Sequence, residues 1–288
     1  MKKLLFNSLF FIPLILIGFS LKAQFSGDTF AKAKESKTAN LTYVYSEAPG
    51  FAANIGGEVT GVCVDIMSDF EFFLLDKYGI TVNSTMEKQH ANNFTDYLQA
   101  VQSSKAGVFG LSNTTITAKR RQEYSFSPPY ITNIAMILTN KAVPTLSDIS
   151  NISEVFAGKT AITIKGTTNE EQIIKIKNQH FPSLKTEYVN YFDEGMVMIS
   201  RDENYFINID FTYYLDAIQS KKPIKRHPAG DQTAEEFGIL MPKDSDWGKP
   251  FAEFLTEEYR NSPSYRKIIA KHLGPNALRL LDSVAAGN

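Results

Sequence analysis

The chain has 288 residues, enough for one large domain or two modest ones, with a formal net charge of −1 and a single cysteine. One cysteine excludes an internal disulfide, and the scattered histidines His90, His180, His227 and His272 lack metal-ligand spacing. The charge balance argues against a nucleic-acid partner, and no G-x-S-x-G, P-loop or G-x-G-x-x-G pattern is present.

Met1-Lys2-Lys3 precedes a largely apolar run from Leu4 to Leu21, then Lys22-Ala23-Gln24. A basic start, an apolar core and a small residue before a polar stretch describe a secretory signal peptide over 1–23, cleaved after Ala23. The run is close to spanning length, so an uncleaved anchor is the competing reading. No cysteine follows it for lipid attachment, and no later stretch is apolar enough to span. Removing Lys2, Lys3 and Lys22 leaves the mature chain more acidic than the whole.

Gln24 to Asn40 is polar and reads as a loose lead-in. Leu41–Tyr45 reads as the first strand, and Glu47–Gly57 as a loop carrying Pro49, Gly50 and Phe51. Ile66, Phe70, Phe73 and Leu74 recur at helical spacing until Gly79. Asp65 near that helix start either favours the positive dipole end or touches a ligand. Ile80–Val82 is a strand, and Asn93 can cap a helix whose apolar face is Phe94, Tyr97, Leu98 and Val101. Strand–helix alternation implies parallel pairing, with ligands beyond the carboxyl ends of the strands.

Val108 to Leu111 is apolar, and a loop of small polar residues from Ser112 to Thr117 follows. Thr117 can cap a short helix through Ala118–Gln122, before Phe126-Ser127-Pro128-Pro129-Tyr130 forces extended backbone. Hydroxyls and N–H groups at a strand end, beside a guanidinium, suit a carboxylate. Taken alone, TAKRRQ is equally what a solvated surface helix with a basic pair looks like.

The pattern then restarts. Ile134–Leu138 is apolar and extended, and Thr160–Ile164 is a strand. Gly166-Thr167-Thr168 leads into a helix over Asn169–Lys177, placing hydroxyls at a helix N-terminus that favours anions. Tyr188–Asn190 is a short strand and Gly195–Ser200 a helical segment. Tyr205–Asp210 is a buried strand ending on an acid, which serves a ligand, caps the next helix or pairs internally. Asp231–Glu236 is a polar return segment and Phe237–Met241 a strand. Two helices, marked by Phe251, Phe254 and Leu255 and by Tyr265, Ile268, Ile269 and Leu273, close the chain at Gly274-Pro275.

Gly110, Ile116-Thr117, Arg120 and Phe126-Ser127-Pro128-Pro129-Tyr130, followed in order by Gly166-Thr167-Thr168, Asp210 and Phe237-Gly238-Ile239, resemble the extracellular solute-binding proteins of the amino-acid-binding family. The resemblance covers nearly all of the mature chain. It implies an α/β, two-lobed periplasmic-binding-protein fold of type II with two hinge crossovers, near Ile131–Asn133 and Asp231–Phe237. Lobe 1 would be 24–131 plus 237–288, and lobe 2 would be 132–236. Gly61 and Asp65 match the family's Gly-x-x-x-Asp. The loop after the first strand departs from the family's aromatic-x-Pro-Phe, since Glu47 or Ala48 falls where the first aromatic belongs.

The resemblance further implies a monomeric periplasmic protein that carries an amino acid or small carboxylate to an inner-membrane ABC permease, without metal or cofactor. Arg120 would clamp the α-carboxylate, helped by Asn113 and Thr115 and by Thr167 and Thr168 from the second lobe. Asp210 would accept the α-ammonium, and Phe51 would cover the ligand. A cyclohexadienyl dehydratase-like enzyme on the same scaffold, with Glu47 as its acid, and a sensing module acting in trans are the alternatives.

Overall fold

The computed structural model describes residues 25–286, without the side chains of 232–234 and 283–286; the leader expected over 1–23 lies outside the described residues. The lead-in is ordered where the sequence suggested a loose segment. Helix α1 (Phe30–Ser36) starts at the Thr29 cap and ends at Lys37 in the left-handed region. Asp246 accepts from the N–H groups of Phe30 and Ala31 at 2.8 and 3.0 Å, a carboxylate at a helix N-terminus. The Phe30 ring packs 5.3 Å from Trp247, so distant residues order a segment whose own composition is polar.

Strand β1 (Thr38–Tyr45) is followed by a small hairpin, β2 (Ala53–Ile55) and β3 (Glu58–Thr60), and by helix α2 (Val62–Tyr78). Gly79 ends α2 at φ 64, with its N–H on the Leu74 and Leu75 carbonyls, as an αL glycine does. Next come β4 (Thr81–Glu87), α3 (Phe94–Gln102), β5 (Val108–Leu111), α4 (Arg120–Glu123) and β6 (Tyr124–Phe126). The chain then passes to β7 (Ile131–Asn140), α5 (Ile152–Val155), β8 (Thr160–Thr163), α6 (Thr168–Gln179), β9 (Lys185–Tyr188), α7 (Phe192–Arg201), β10 (Tyr205–Asp210) and α8 (Phe211–Gln219). It returns through β11 (Ile224–Phe237) to β12 (Leu240–Pro242) and ends in α9 (Gly248–Phe254), α10 (Glu257–Asn261), α11 (Pro263–Leu273) and α12 (Pro275–Ala286).

The strands form two five-stranded sheets, ordered β4-β1-β5-β12-β6 and β11-β7-β10-β8-β9. In the first, β1 pairs parallel with β4 and β5, as the strand–helix alternation requires. In the second, β8 pairs parallel with β9 and β10, while β7 runs antiparallel to β10 and β11. The chain crosses from the first sheet to the second before β7 and back after β11. Both crossings lie side by side, because Phe237 pairs with Ile131 and the Tyr130 N–H donates to the Phe237 carbonyl.

Two further departures from the sequence reading have physical causes. The polar return segment Asp231–Glu236 is part of strand β11 rather than a loop, because it is the edge of its sheet and only one side needs a partner. The closing helices number four rather than two. Gly274 does end α11 at φ 82, but Pro275 then opens α12, a position where proline is tolerated because its missing N–H would have no helical partner. The core of the first half centres on Phe70, whose ring stacks on Phe251 at 4.0 Å and also meets Phe109 and Trp247. Among the described residues no helix is long and apolar enough to cross a membrane.

Candidate functional site

A cleft of about 530 Å³ of non-atom space, partly open to solvent, lies between the carboxyl ends of the strands of the two sheets. Sheets of this kind leave their crevices there. From the first half it is lined by Glu47, Phe94, Asn113, Thr115 and Arg120, and from the second by Thr167, Thr168, Asn169, Asp210 and Tyr213.

The loop after β5 is fixed by its own polar groups. Thr114 turns inward, its hydroxyl 3.2 Å from the Tyr97 hydroxyl, and the Tyr130 hydroxyl donates to the Ser112 carbonyl at 2.9 Å. Thr117 accepts from the Arg120 N–H at 3.0 Å, the cap that the sequence suggests, on a helix that begins two residues later than expected, at Arg120. Arg120 is thereby aimed into the cleft. Its Nη1 donates to the Thr115 carbonyl at 2.9 Å and its Nη2 to the Gly166 carbonyl of the other half at 3.2 Å. The guanidinium carbon stands 5.3 Å from the centroid of the Phe94 ring. Burial lowers the Arg120 pKa from its ordinary value. A planar five-donor fork used at only two of these contacts retains N–H groups for a carboxylate.

Across the cleft, Gly166 sits at φ 79, a turn that glycine makes without strain. Thr167 then caps α6, accepting from the Glu170 N–H at 3.1 Å and donating its hydroxyl to the Ile164 carbonyl at 2.7 Å. Thr168 follows, its hydroxyl oxygen 3.2 Å from that of Thr115.

Asp210 ends β10 and stands at the N-cap position of α8, yet its carboxylate makes no capping hydrogen bond. It accepts instead from Asn133 at 2.8 Å and from Asn113, with the amide of Asn169, which donates to Asn208 Oδ1 at 3.0 Å, beside it. The side chain is 3 % exposed. Burial and the nearby charge of Glu235 push its pKa up to about 7, against the pull of the three amides. A cation arriving in the cleft would reverse that balance.

Six of the seven residues singled out in sequence line this cleft: Asn113, Thr115, Arg120, Thr167, Thr168 and Asp210. Phe51 does not. It is 0 % exposed, its ring 5.6 Å from Phe237 and 6.2 Å from Tyr130. The loop folds inward there, with the Ala52 N–H on the Ala48 carbonyl and the Cys63 N–H on that of Phe51. The aromatic surface of the cleft comes instead from Phe94, Tyr191, Phe192 and Tyr213. Asp65 lies elsewhere, with its Oδ2 2.7 Å from both Lys271 Nζ and His272 Nε2, a structural tie between α2 and α11. Sequence reasoning passed over Asn133 and Glu235. The available signal was an amide inside the apolar run Ile131–Leu138, since a buried polar side chain needs partners.

A sequence model of the bacterial extracellular solute-binding proteins, family 3, matches residues 43–275. A probable histidine-binding protein of Neisseria gonorrhoeae is 24 % identical over 235 residues, covering 78 % of this chain and 79 % of that one. An ancestral arginine-binding protein bound to arginine superposes with a TM-score of 0.65 at 20 % identity, covering 81 % of this chain and 97 % of the other. A substrate-binding protein of an ABC uptake transporter from Streptococcus pneumoniae, with bound histidine, gives 0.65 at 17 % identity, covering 86 % and 96 %. The two-lobed fold is shared with both structures. The chain belongs to the family 3 extracellular solute-binding proteins.

Proposed function

We propose that this family 3 protein captures a free amino acid between its lobes and hands it to an ABC permease. The carrying observation is that a guanidinium and a carboxyl group, those of Arg120 and Asp210, line one cleft from opposite halves. An α-amino acid presents the complementary pair, a carboxylate and an ammonium. Arg120 takes the carboxylate with the help of Asn113, Thr115, Thr167 and Thr168, and Asp210 takes the ammonium. Phe94 and Tyr213 flank the ligand. Ligand contacts drawn from both halves are complete only in the closed form, so binding drives closure about the two crossings. We place the lobe limits at 24–131 plus 237–288 and at 132–236, in keeping with the two sheets. In this reading the protein is a binder rather than an enzyme and works in the periplasm.

The test is a thermal-shift screen of the common amino acids against wild type and Arg120→Ala. At least one amino acid should raise the wild-type Tm and leave that of the variant unmoved. Arg120→Lys should behave like Arg120→Ala, because an ammonium cannot reproduce the planar fork. If no amino acid shifts wild type, or if Arg120→Ala shifts as far, the reading fails.

A further inference from the structure

Asn133 lies on β7 directly across from Glu235 of β11, with β10 on its other side. Its single Nδ2 donates to Asp210 Oδ1 at 2.8 Å and to Glu235 Oε2 at 3.0 Å. Asn133 is 0 % exposed, and its Oδ1 has no hydrogen-bond partner among the described residues. One neutral amide thus holds two carboxyl groups with their oxygens within about 6 Å, the range in which like charges disfavour ionisation. An amide has no charge to offset either of them.

We propose that Glu235, held on Asn133, couples amino-acid capture at Asp210 to the release of a proton. The inference rests on the reading of Asp210 as the ammonium acceptor. Before binding, burial and the nearness of the two carboxyl groups leave a proton on the Asp210–Glu235 pair. The ligand's ammonium enters carrying its own charge, Asp210 ionises to meet it, and the carboxyl proton leaves to solvent. One positive charge enters, one proton leaves, and no covalent bond other than O–H changes.

The surrounding groups permit this. Asp210 is faced by Asn113 from the loop after β5, Asn133 from β7, Glu235 from β11, Asn169 from α6 and Tyr213 from α8. Asp193 of α7 acts on Tyr213. β8, the other strand beside β10, is Thr-Ala-Ile-Thr and carries no titratable side chain. Arg120 reaches Glu235 by charge, opposed by Glu171, while burial raises the Glu235 pKa overall. Glu235 is therefore a positioning residue, which sets the charge on Asp210 without touching the ligand.

The test uses the mature protein with L-arginine and L-glutamine, neither of which titrates between pH 5.5 and 8. Calorimetric titrations in buffers of different ionisation heat count the protons released. Wild type should release a proton near pH 6.5, and its affinity should fall about tenfold per pH unit below the midpoint. Glu235→Gln keeps an acceptor for Asn133 and removes the charge, so it should move that midpoint to lower pH. A merely structural role for Glu235 would lower affinity equally at every pH and leave the midpoint in place, which overturns the proposal. Binding without proton release overturns it as well. If neither binds, the titration is made with the amino acid that the thermal-shift screen selects; binding of no amino acid at any pH overturns the amino-acid reading, and this inference with it.

Discussion

The side-chain hydroxyls of Thr115 and Thr168 lie 3.2 Å apart, although one follows a strand of the first sheet and the other opens a helix on the second. Arg120 makes the same crossing, through Nη2 to the Gly166 carbonyl at 3.2 Å. Small hydroxyl residues allow this approach, and each keeps lone pairs for a third partner. The halves therefore meet through groups that also line the cleft, which makes lobe contact and ligand contact interdependent.

Thr168→Val preserves shape and removes the hydroxyl. A neutral hydrogen bond contributes about 0.5–1.5 kcal/mol, so affinity for the best amino acid of the thermal-shift screen should fall by up to about tenfold. Thr115→Val should act on the same contact, and the double variant should lose less than the sum of the two. Strictly additive losses by calorimetric titration would show that the two hydroxyls act separately.

Phe51→Ala should damage the fold rather than the site. The ring is wholly buried between Tyr130 and Phe237, and Phe→Ala in a core costs about 3–5 kcal/mol. Urea unfolding should show that loss, while the fraction that remains folded still binds ligand. Intact stability with abolished binding would restore Phe51 to the cleft.

Phe51 also marks where reading the sequence stops working. Arg120, Thr168 and Asp210 are legible because each sits at a strand end or helix start with its local signal: a Thr117 cap, a Gly166 turn, an apolar run ending on an acid. Their positions follow from local backbone rules. Phe51 sits in a loop, where the direction of a side chain depends on residues far along the chain, here Tyr130 and Phe237. Asn133 falls where the sequence reading puts a crossing, but it lies inside β7, and nothing local shows its role. That role needs Asp210 and Glu235 beside it, and both arrive only through sheet register. α1 is hidden for a related reason: Phe30 is held by packing against distant elements, which stabilises a helix too short to stand alone. α12 is hidden because Gly274-Pro275 reads as the end of a helix, whereas Pro275 opens the next one.

Glu47 lines the cleft, accepting from the Tyr45 hydroxyl at 3.2 Å and from the Asn54 N–H at 3.3 Å. A carboxylate there favours ligands with a cationic side chain. Glu47→Gln should weaken L-arginine binding by about 1.5–3 kcal/mol, the range for hydrogen bonds to charged groups, and affect L-glutamine less. Equal losses for both amino acids, measured side by side by calorimetry, would remove Glu47 from side-chain selection. Chromatographic detection of dehydrated product from a cyclohexadienyl acid, lost in Glu47→Gln, would instead favour the enzyme reading.

The last prediction concerns ligand-free stability, where two buried groups act with opposite sign. Asp210 is raised from 3.8 to about 7, so between these values the native state holds a proton that the unfolded chain has released. Its contribution to stability therefore falls as pH rises through that window. His227 is lowered from 6.5 to about 4 by burial and by the charges of Lys225 and Lys159. Its ring is fixed neutral, with Nδ1 accepting from the Leu146 N–H at 3.0 Å and Nε2 2.7 Å from the Thr139 hydroxyl. Between about 4 and 6.5 the unfolded chain binds the proton, so the His227 contribution rises with pH. In wild type the two slopes oppose each other over most of this range. Asp210→Asn removes one of them and leaves His227 in place. The variant's stability, followed by urea unfolding from pH 4 to 7, should climb with pH more steeply than that of wild type. The difference between the two curves should flatten above about 7. Parallel curves across the whole window would mean that Asp210 ionises at an ordinary carboxylate pH, and the charge coupling drawn from its burial would fail with it.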